Sequence, residues 1–141
     1  MIAIPITLHM LAMLLVAYME ARQDARDIAK RYAIDHPSQW QERALASLMS
    51  AVLCAMLNAW GFGGHYWWPL LGMLVIGYGL FTPTFRYLLN RMRRPALPWD
   101  YVSLSNLYDA AFIAVAGDKA ARLAYTTEGA AVLVGIYIAT L

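Results

Sequence analysis

Little in this chain is charged, and almost nothing in it can be cross-linked or hold a soft metal. Cys54 is the single cysteine, so no intramolecular disulfide can form, and its place inside an apolar run reads as a small packed side chain. The three histidines, His9, His36 and His65, have no metal-ligand spacing. G-x-S-x-G, H-E-x-x-H and the Walker loop are all missing, which removes the usual hydrolase, zinc-peptidase and phosphate-cradle signatures. No cofactor motif is present. Asp, Glu, Lys and Arg make up 14% of 141 residues, with 11 basic against 9 acidic. That balance makes no case for a nucleic-acid partner.

Apolar residues are what the chain has in excess. They amount to 61% of the sequence, with a mean hydropathy of +0.48; an ordinary soluble domain is about 45–50% apolar and about 25% charged. A soluble protein of this length cannot hide that much apolar surface. The runs are continuous rather than alternating, which points to helices and not to a β-barrel. The fold class expected is therefore all-α: an integral membrane helical bundle of three to four transmembrane helices, forming a single membrane domain over 1–141.

Four stretches carry this expectation: Ile2 to Met19, Ala44 to Trp60, Trp67 to Leu89, and Leu123 to Leu141. A span needs about 20 residues at about 1.5 Å rise. The last stretch reaches that length only if Thr126, Thr127 and Glu128 enter the membrane. The first, MIAIPITLHMLAMLLVAYMEA, lacks a basic leader and a small-residue cleavage site, so it reads as a mature helix and not a signal peptide. Basic residues concentrate in Glu20–Arg43 (Arg22, Arg26, Lys30, Arg31, Arg43) and in Arg86–Arg94, whereas Gly61–Tyr66 has neither Lys nor Arg. The positive-inside rule then places both basic segments in the cytoplasm and the N-terminus outside, in a bacterial inner membrane.

Local signals sharpen the picture. No Gly or Pro interrupts Ile6 to Asp35, so the first helix is expected to leave the bilayer as one rod and form a cytoplasmic extension. On it, Glu20, Asp24, Asp27 and Arg31 fall within about 60° of arc, with Arg22, Arg26 and Lys30 on another face. Asp35-His36-Pro37-Ser38 should stop this helix, and Ser38-Gln39-Trp40-Gln41 matches a capping box for the second. Trp67-Trp68-Pro69 suits the start of the third, and Pro83 should kink it. Pro95 and Pro98 end it, after which Ser103 or Ser105 would cap a short interfacial helix, Asn106 to about Ala116. Gly72, Gly77 and Gly79 permit close helix packing, although the literal G-x-x-x-G is absent.

The polar residues suggest one network. Glu20 and Asp24 would meet Arg86, Asn90 and Arg91 on the cytoplasmic side, with Asp100 and Asp109 closing it as the paired prolines fold Trp99-Asp100-Tyr101 back. Arg91, Arg93 and Arg94 would either mark the cytoplasmic interface or hold lipid phosphates. Should a hard cation bind, the ligands would come from Glu20, Asp24 and Asp27. Glu128 would pair with Arg122 or lie at the interface, and His9 should make a helix–helix hydrogen bond.

Phe85-Arg86-Tyr87-Leu88-Leu89-Asn90-Arg91, then Leu97-Pro98-Trp99-Asp100-Tyr101-Val102, then Ser105 and Asp109, resemble a pattern found in uncharacterised small polytopic membrane proteins of bacteria and their phages. Pro95-Ala96 stands where that pattern commonly has a glycine. The resemblance covers roughly a third of the chain, and it implies a small polytopic membrane protein of bacterial or phage origin, without implying an activity. Three readings of function follow. The first is a non-enzymatic membrane protein acting through lipids, anionic headgroups among them, through a second copy of itself or through another membrane protein. The second is a metal-dependent enzyme acting on a lipid headgroup or phosphate. The third is a small pore of the holin kind, which the uncharged Ile-Ala-Thr-Leu C-terminus disfavours.

Overall fold

The computed structural model describes residues 2–30, 36–93, 95–102 and 107–141. Among these residues there are five α-helices: α1 (Ala3–Ala29), α2 (His36–Met56), α3 (Trp67–Met92), α4 (Leu107–Ala116) and α5 (Ala120–Ala139). A π-helical turn, Leu57–Gly61, extends α2, and a 3-10 turn, Gly117–Lys119, joins α4 to α5. No strand occurs among the described residues. Among the described residues, three helical segments, Ala3–Ala29, Gln41–Gly61 and Trp67–Met92, are long and apolar enough to cross a membrane. At 20 residues α5 has the length, but it carries Arg122 and Glu128 and is not one of these three.

α1 is a single rod because nothing after Pro5 breaks it, and Pro5 itself sits in the first turn, where its missing N–H costs nothing. Its 27 residues reach about 40 Å. The helix closes at Lys30, whose N–H bonds to the Arg26 carbonyl; the expected continuation through Arg31 to Asp35 lies outside the described residues. Its buried positions, Ile6, His9, Met13, Ala17, Ala21 and Asp24, recur every three or four residues and form the stripe that faces the bundle. α2 begins at His36, two residues before the capping box expected at Ser38. Pro37 explains the shift, since a proline belongs inside the first turn of a helix. Likewise α4 begins at Leu107, and its expected caps Ser103 and Ser105 lie outside the described residues, as does Arg94.

α3 is the central element, packing most extensively on α5 and then on α1. It starts at Trp67, as Trp67-Trp68-Pro69 suggests, and remains helical through Pro83. The contact with α5 is made backbone to backbone. A Cβ on Gly72 would overlap the Gly135 carbonyl oxygen, one on Gly135 would lie 2.7 Å from the Gly72 oxygen, and one on Gly79 would lie 2.6 Å from the Glu128 oxygen. Rising numbers on α3 meet falling numbers on α5, so the two are antiparallel. Small residues allow this approach, and the gain is van der Waals contact along the whole seam. On another side of α3, the Cα of Gly77 faces Ser47 of α2 and His9 and Met13 of α1. His9 Nδ1 and Ser50 Oγ lie 3.0 Å apart, the helix–helix hydrogen bond expected of that histidine.

α1 therefore runs parallel to α3, with α2 and α5 opposed to both. Ile2, Asn58, His65, Pro69 and Leu141 gather around one cavity at the same end of the bundle. There, Asn58 fastens the connection between α2 and α3: its Nδ2 donates to the His65 carbonyl at 2.9 Å, and its own carbonyl accepts from Gly64 N at 3.0 Å. Gly63 makes the turn possible with φ +67°. The charged residues collect toward the other end.

Candidate functional site

Arg86 lies one turn after Pro83 on α3 and is only 6% exposed. Its guanidinium grips Glu128 of α5 as a fork, Nη1 to Oε2 at 3.1 Å and Nη2 to Oε1 at 3.1 Å. Nη2 also donates to Asp109 Oδ1 of α4 at 2.9 Å. Glu128 is wholly buried. A planar guanidinium is the group suited to such bidentate pairing, since two parallel N–H bonds satisfy both carboxylate oxygens.

Aromatic rings close around this pair. The Arg86 guanidinium carbon stands 5.2 Å from the Tyr125 ring centre and 5.8 Å from that of Tyr108, within range of a cation–π interaction. Tyr108 OH donates to Glu128 Oε1 at 2.9 Å. Its single proton is thereby committed, so the 2.6 Å contact between the Tyr78 and Tyr108 hydroxyls has Tyr78 as donor. Burial pushes the Tyr108 phenol well above the usual tyrosine range, and its hydrogen bonds to Tyr78 and to Glu128 push in the same direction.

A second arginine is held in the same manner on the other side of α3. Arg43 of α2 donates from Nε to Glu20 Oε2 at 3.1 Å and from Nη2 to Asp24 Oδ2 at 3.3 Å, both on α1. Its guanidinium carbon lies 4.3 Å from the Phe85 ring centre and 5.6 Å from that of Phe81, and those two rings are stacked. Phe85 and Arg86 are neighbours in sequence, so α3 separates the two arginine clusters.

The single network expected from the sequence is thus two networks. Glu20 and Asp24 meet Arg43, and not Arg86, Asn90 or Arg91. The cause is topological. α1 and α2 are antiparallel neighbours, which brings the carboxylates just beyond the first apolar run opposite the early turns of α2. Arg86 faces away from them, toward α4 and α5. Of the expected closing residues, Asp109 reaches Arg86, but Asp100 is exposed and makes no ion pair among the described residues. Glu128, expected to find Arg122 or the interface, finds Arg86 instead. Arg91 is exposed and belongs to neither cluster.

The segment after α3 is fastened all the same, through backbone carbonyls. Asn90 Nδ2 donates to Tyr101 O at 2.9 Å, and Leu97 N donates to Asn90 O at 2.9 Å. Tyr125 OH donates to Trp99 O at 3.0 Å, with the two rings 5.7 Å apart. Asn90 is buried, so it acts as the hinge pin that Asp100 was expected to be.

Asp27 is half-buried, and no group of three or more His, Cys, Asp or Glu among the described residues could hold a metal ion. Arg43, Glu128, Tyr108 and Tyr125 are the members of the clusters that sequence reasoning did not assign. Two signals point to them: Glu128 is a carboxylate inside an apolar stretch, which demands a buried partner, and Tyr125 precedes it by three residues on the same helical face. Comparison with protein-family models, with curated proteins and with solved structures gives no match for this chain.

Proposed function

We propose that this chain is a small polytopic membrane protein that works by association, with lipid or with another membrane component, and not through a catalytic centre. The observation that carries the reading is the inversion of an ordinary protein surface: large apolar side chains face outward while the buried charges are engaged with one another. Leu11, Leu15, Met19, Leu53 and Leu133 are all more than half exposed, whereas Arg86 and Glu128 are among the most buried side chains. Water would penalise the first arrangement; a hydrocarbon environment favours it, and it demands that inward charges be paired.

Exposed aromatic residues support the same reading. Trp60, Trp67 and Trp68 ring one end of the helices, and Tyr87, Trp99 and Tyr101 the other. Trp68 and Tyr87 are 19 residues apart on α3, about 28 Å along its axis, close to the thickness of a bilayer core at about 30 Å. Amphipathic rings favour the two interfaces at that separation. With the basic residues at the Tyr87 end, the positive-inside rule puts that end in the cytoplasm and Ile2, His65 and Leu141 outside. Buried arginines gripped by two carboxylates each serve as cross-links between helices, leaving the lipid-facing surface to meet the partner.

The test is to wash membranes from expressing cells with alkaline carbonate, release the retained chain in mild detergent and weigh it by native mass spectrometry. Retention, followed by a mass that includes phospholipid, a second copy or a stoichiometric partner, is expected. Release by carbonate, or a bare monomer that binds nothing, would overturn the reading.

A further inference from the structure

The charges of the α1 extension are divided between two faces, and only one face is occupied. Glu20 and Asp24 turn toward α2, where Arg43 takes them. On another face, Arg22 and Arg26 are exposed, and neither makes an ion pair or hydrogen bond with a described residue. They border an open cleft of about 400 Å³ between α1 and the end of α3, lined by Tyr18, Arg22, Ala25, Arg26, Ala29 and Met92.

The lining has two chemistries arranged in order. Ala25, Ala29 and Met92 give it an apolar floor, with the alanines small enough to leave room. The two guanidiniums stand at its rim, one turn apart, and no carboxylate is among the described residues that line the cleft. Tyr18, half exposed at the apolar side, marks where the α1 extension leaves its hydrophobic run. Two cations beside an apolar floor, at the level where a span ends, complement an anionic amphiphile: phosphate at the arginines, with the glycerol and acyl chains directed back past Tyr18 toward the hydrocarbon.

We infer that this cleft is a binding site for the headgroup of an anionic phospholipid, with Arg22 and Arg26 holding the phosphate. The inference rests on the membrane reading above and adds to it the site and the class of lipid. It also relocates the anion site: the arginines that matter are those of α1, not the run that follows α3.

The full-length chain in neutral detergent is titrated with phosphatidylglycerol, with phosphatidylcholine and with inorganic phosphate, and binding is followed by native mass spectrometry. Phosphatidylglycerol should bind preferentially, and Arg22→Gln with Arg26→Gln should weaken it about twenty-fivefold, at about fivefold per arginine. Phosphatidylcholine binding should be unchanged in that variant, which also shows that it is folded. The exposed pair Lys119→Gln with Arg122→Gln serves as a charge-matched control and should bind as the parent does. Equal affinity of parent and double variant for phosphatidylglycerol would overturn the site, as would saturation by inorganic phosphate at the same concentration. Because carbonate retention is read separately, a chain that stays in the membrane but shows no preference for the anionic lipid defeats this inference alone.

Discussion

Arg86 on α3 and Glu128 on α5 are joined by two parallel hydrogen bonds of 3.1 Å, with the carboxylate wholly out of solvent. Removing Arg86 leaves Glu128 and Asp109 without their buried counter-charge, which typically costs about 3–5 kcal/mol. Arg86→Ala should therefore lower the thermal midpoint and folded yield in detergent more than alanine at any exposed arginine. Arg86→Lys should fall between, since an ammonium cannot fork. The exchanged pair Arg86→Glu with Glu128→Arg should recover part of the loss, measured by size-exclusion profile and melting curve. Equal stability of Arg86→Ala and the parent would remove the clamp from the account of this fold.

The α3–α5 seam makes a contrast between two glycines. Gly72→Ala places a methyl group against the Gly135 carbonyl and the Ala139 backbone, so α5 must be displaced, at about 1–3 kcal/mol. Gly129→Ala meets nothing within 4 Å and should stabilise α5 by about 0.5–1 kcal/mol through reduced backbone freedom. Chemical or thermal unfolding of the two variants in the same detergent decides the matter by sign.

Asn90 and Asp100 give a similar contrast in the segment after α3. Asn90→Ala removes the donor to the Tyr101 carbonyl, a hydrogen bond worth about 0.5–1.5 kcal/mol. Asp100→Ala should change stability by less than about 0.5 kcal/mol. Limited proteolysis between Pro95 and Val102 should accelerate in the first variant and not in the second.

Tyr108 sets an alkaline limit. Burial and its hydrogen bonds hold the phenol above its ordinary value of about 10. A group whose folded pKa is raised contributes stability that is fully present below the unfolded pKa and is lost as pH rises toward the folded one. Stability measured between about pH 8 and about pH 11 should therefore fall along the upper part of that range. Tyr108→Phe should be less stable at neutral pH, having lost the bond to Glu128, and should show a shallower alkaline decline. A parent whose stability is flat across that range would contradict the assignment.

Helix existence was legible because it depends on local facts. Continuous apolar runs, the absence of Gly and Pro after Pro5, and Trp67-Trp68-Pro69 at a helix start each act within a turn or two of themselves. Partner choice was not. The stripe of Glu20 and Asp24 identifies a helix face, but Arg43 and Arg86 are chemically equivalent partners for it, and only the antiparallel packing of α1 on α2 selects Arg43. Asp109 and Asp100 both follow the third helix and both could reach back; the turn geometry of Pro95 to Pro98 directs backbone carbonyls, and not Asp100, toward α3 and α5. Glu128 was visible as an anomaly whose partner lay 42 residues earlier in the chain, beyond any periodicity. The start of α2 at His36 shows the stronger of two local signals prevailing, a first-turn proline over a serine cap.

The Arg86 cluster also imposes a schedule on synthesis. Arg86 emerges from the ribosome 23 residues ahead of Asp109 and 42 residues ahead of Glu128. Its guanidinium must stay hydrated until the first carboxylate arrives, and the bidentate grip forms only when α5 is made.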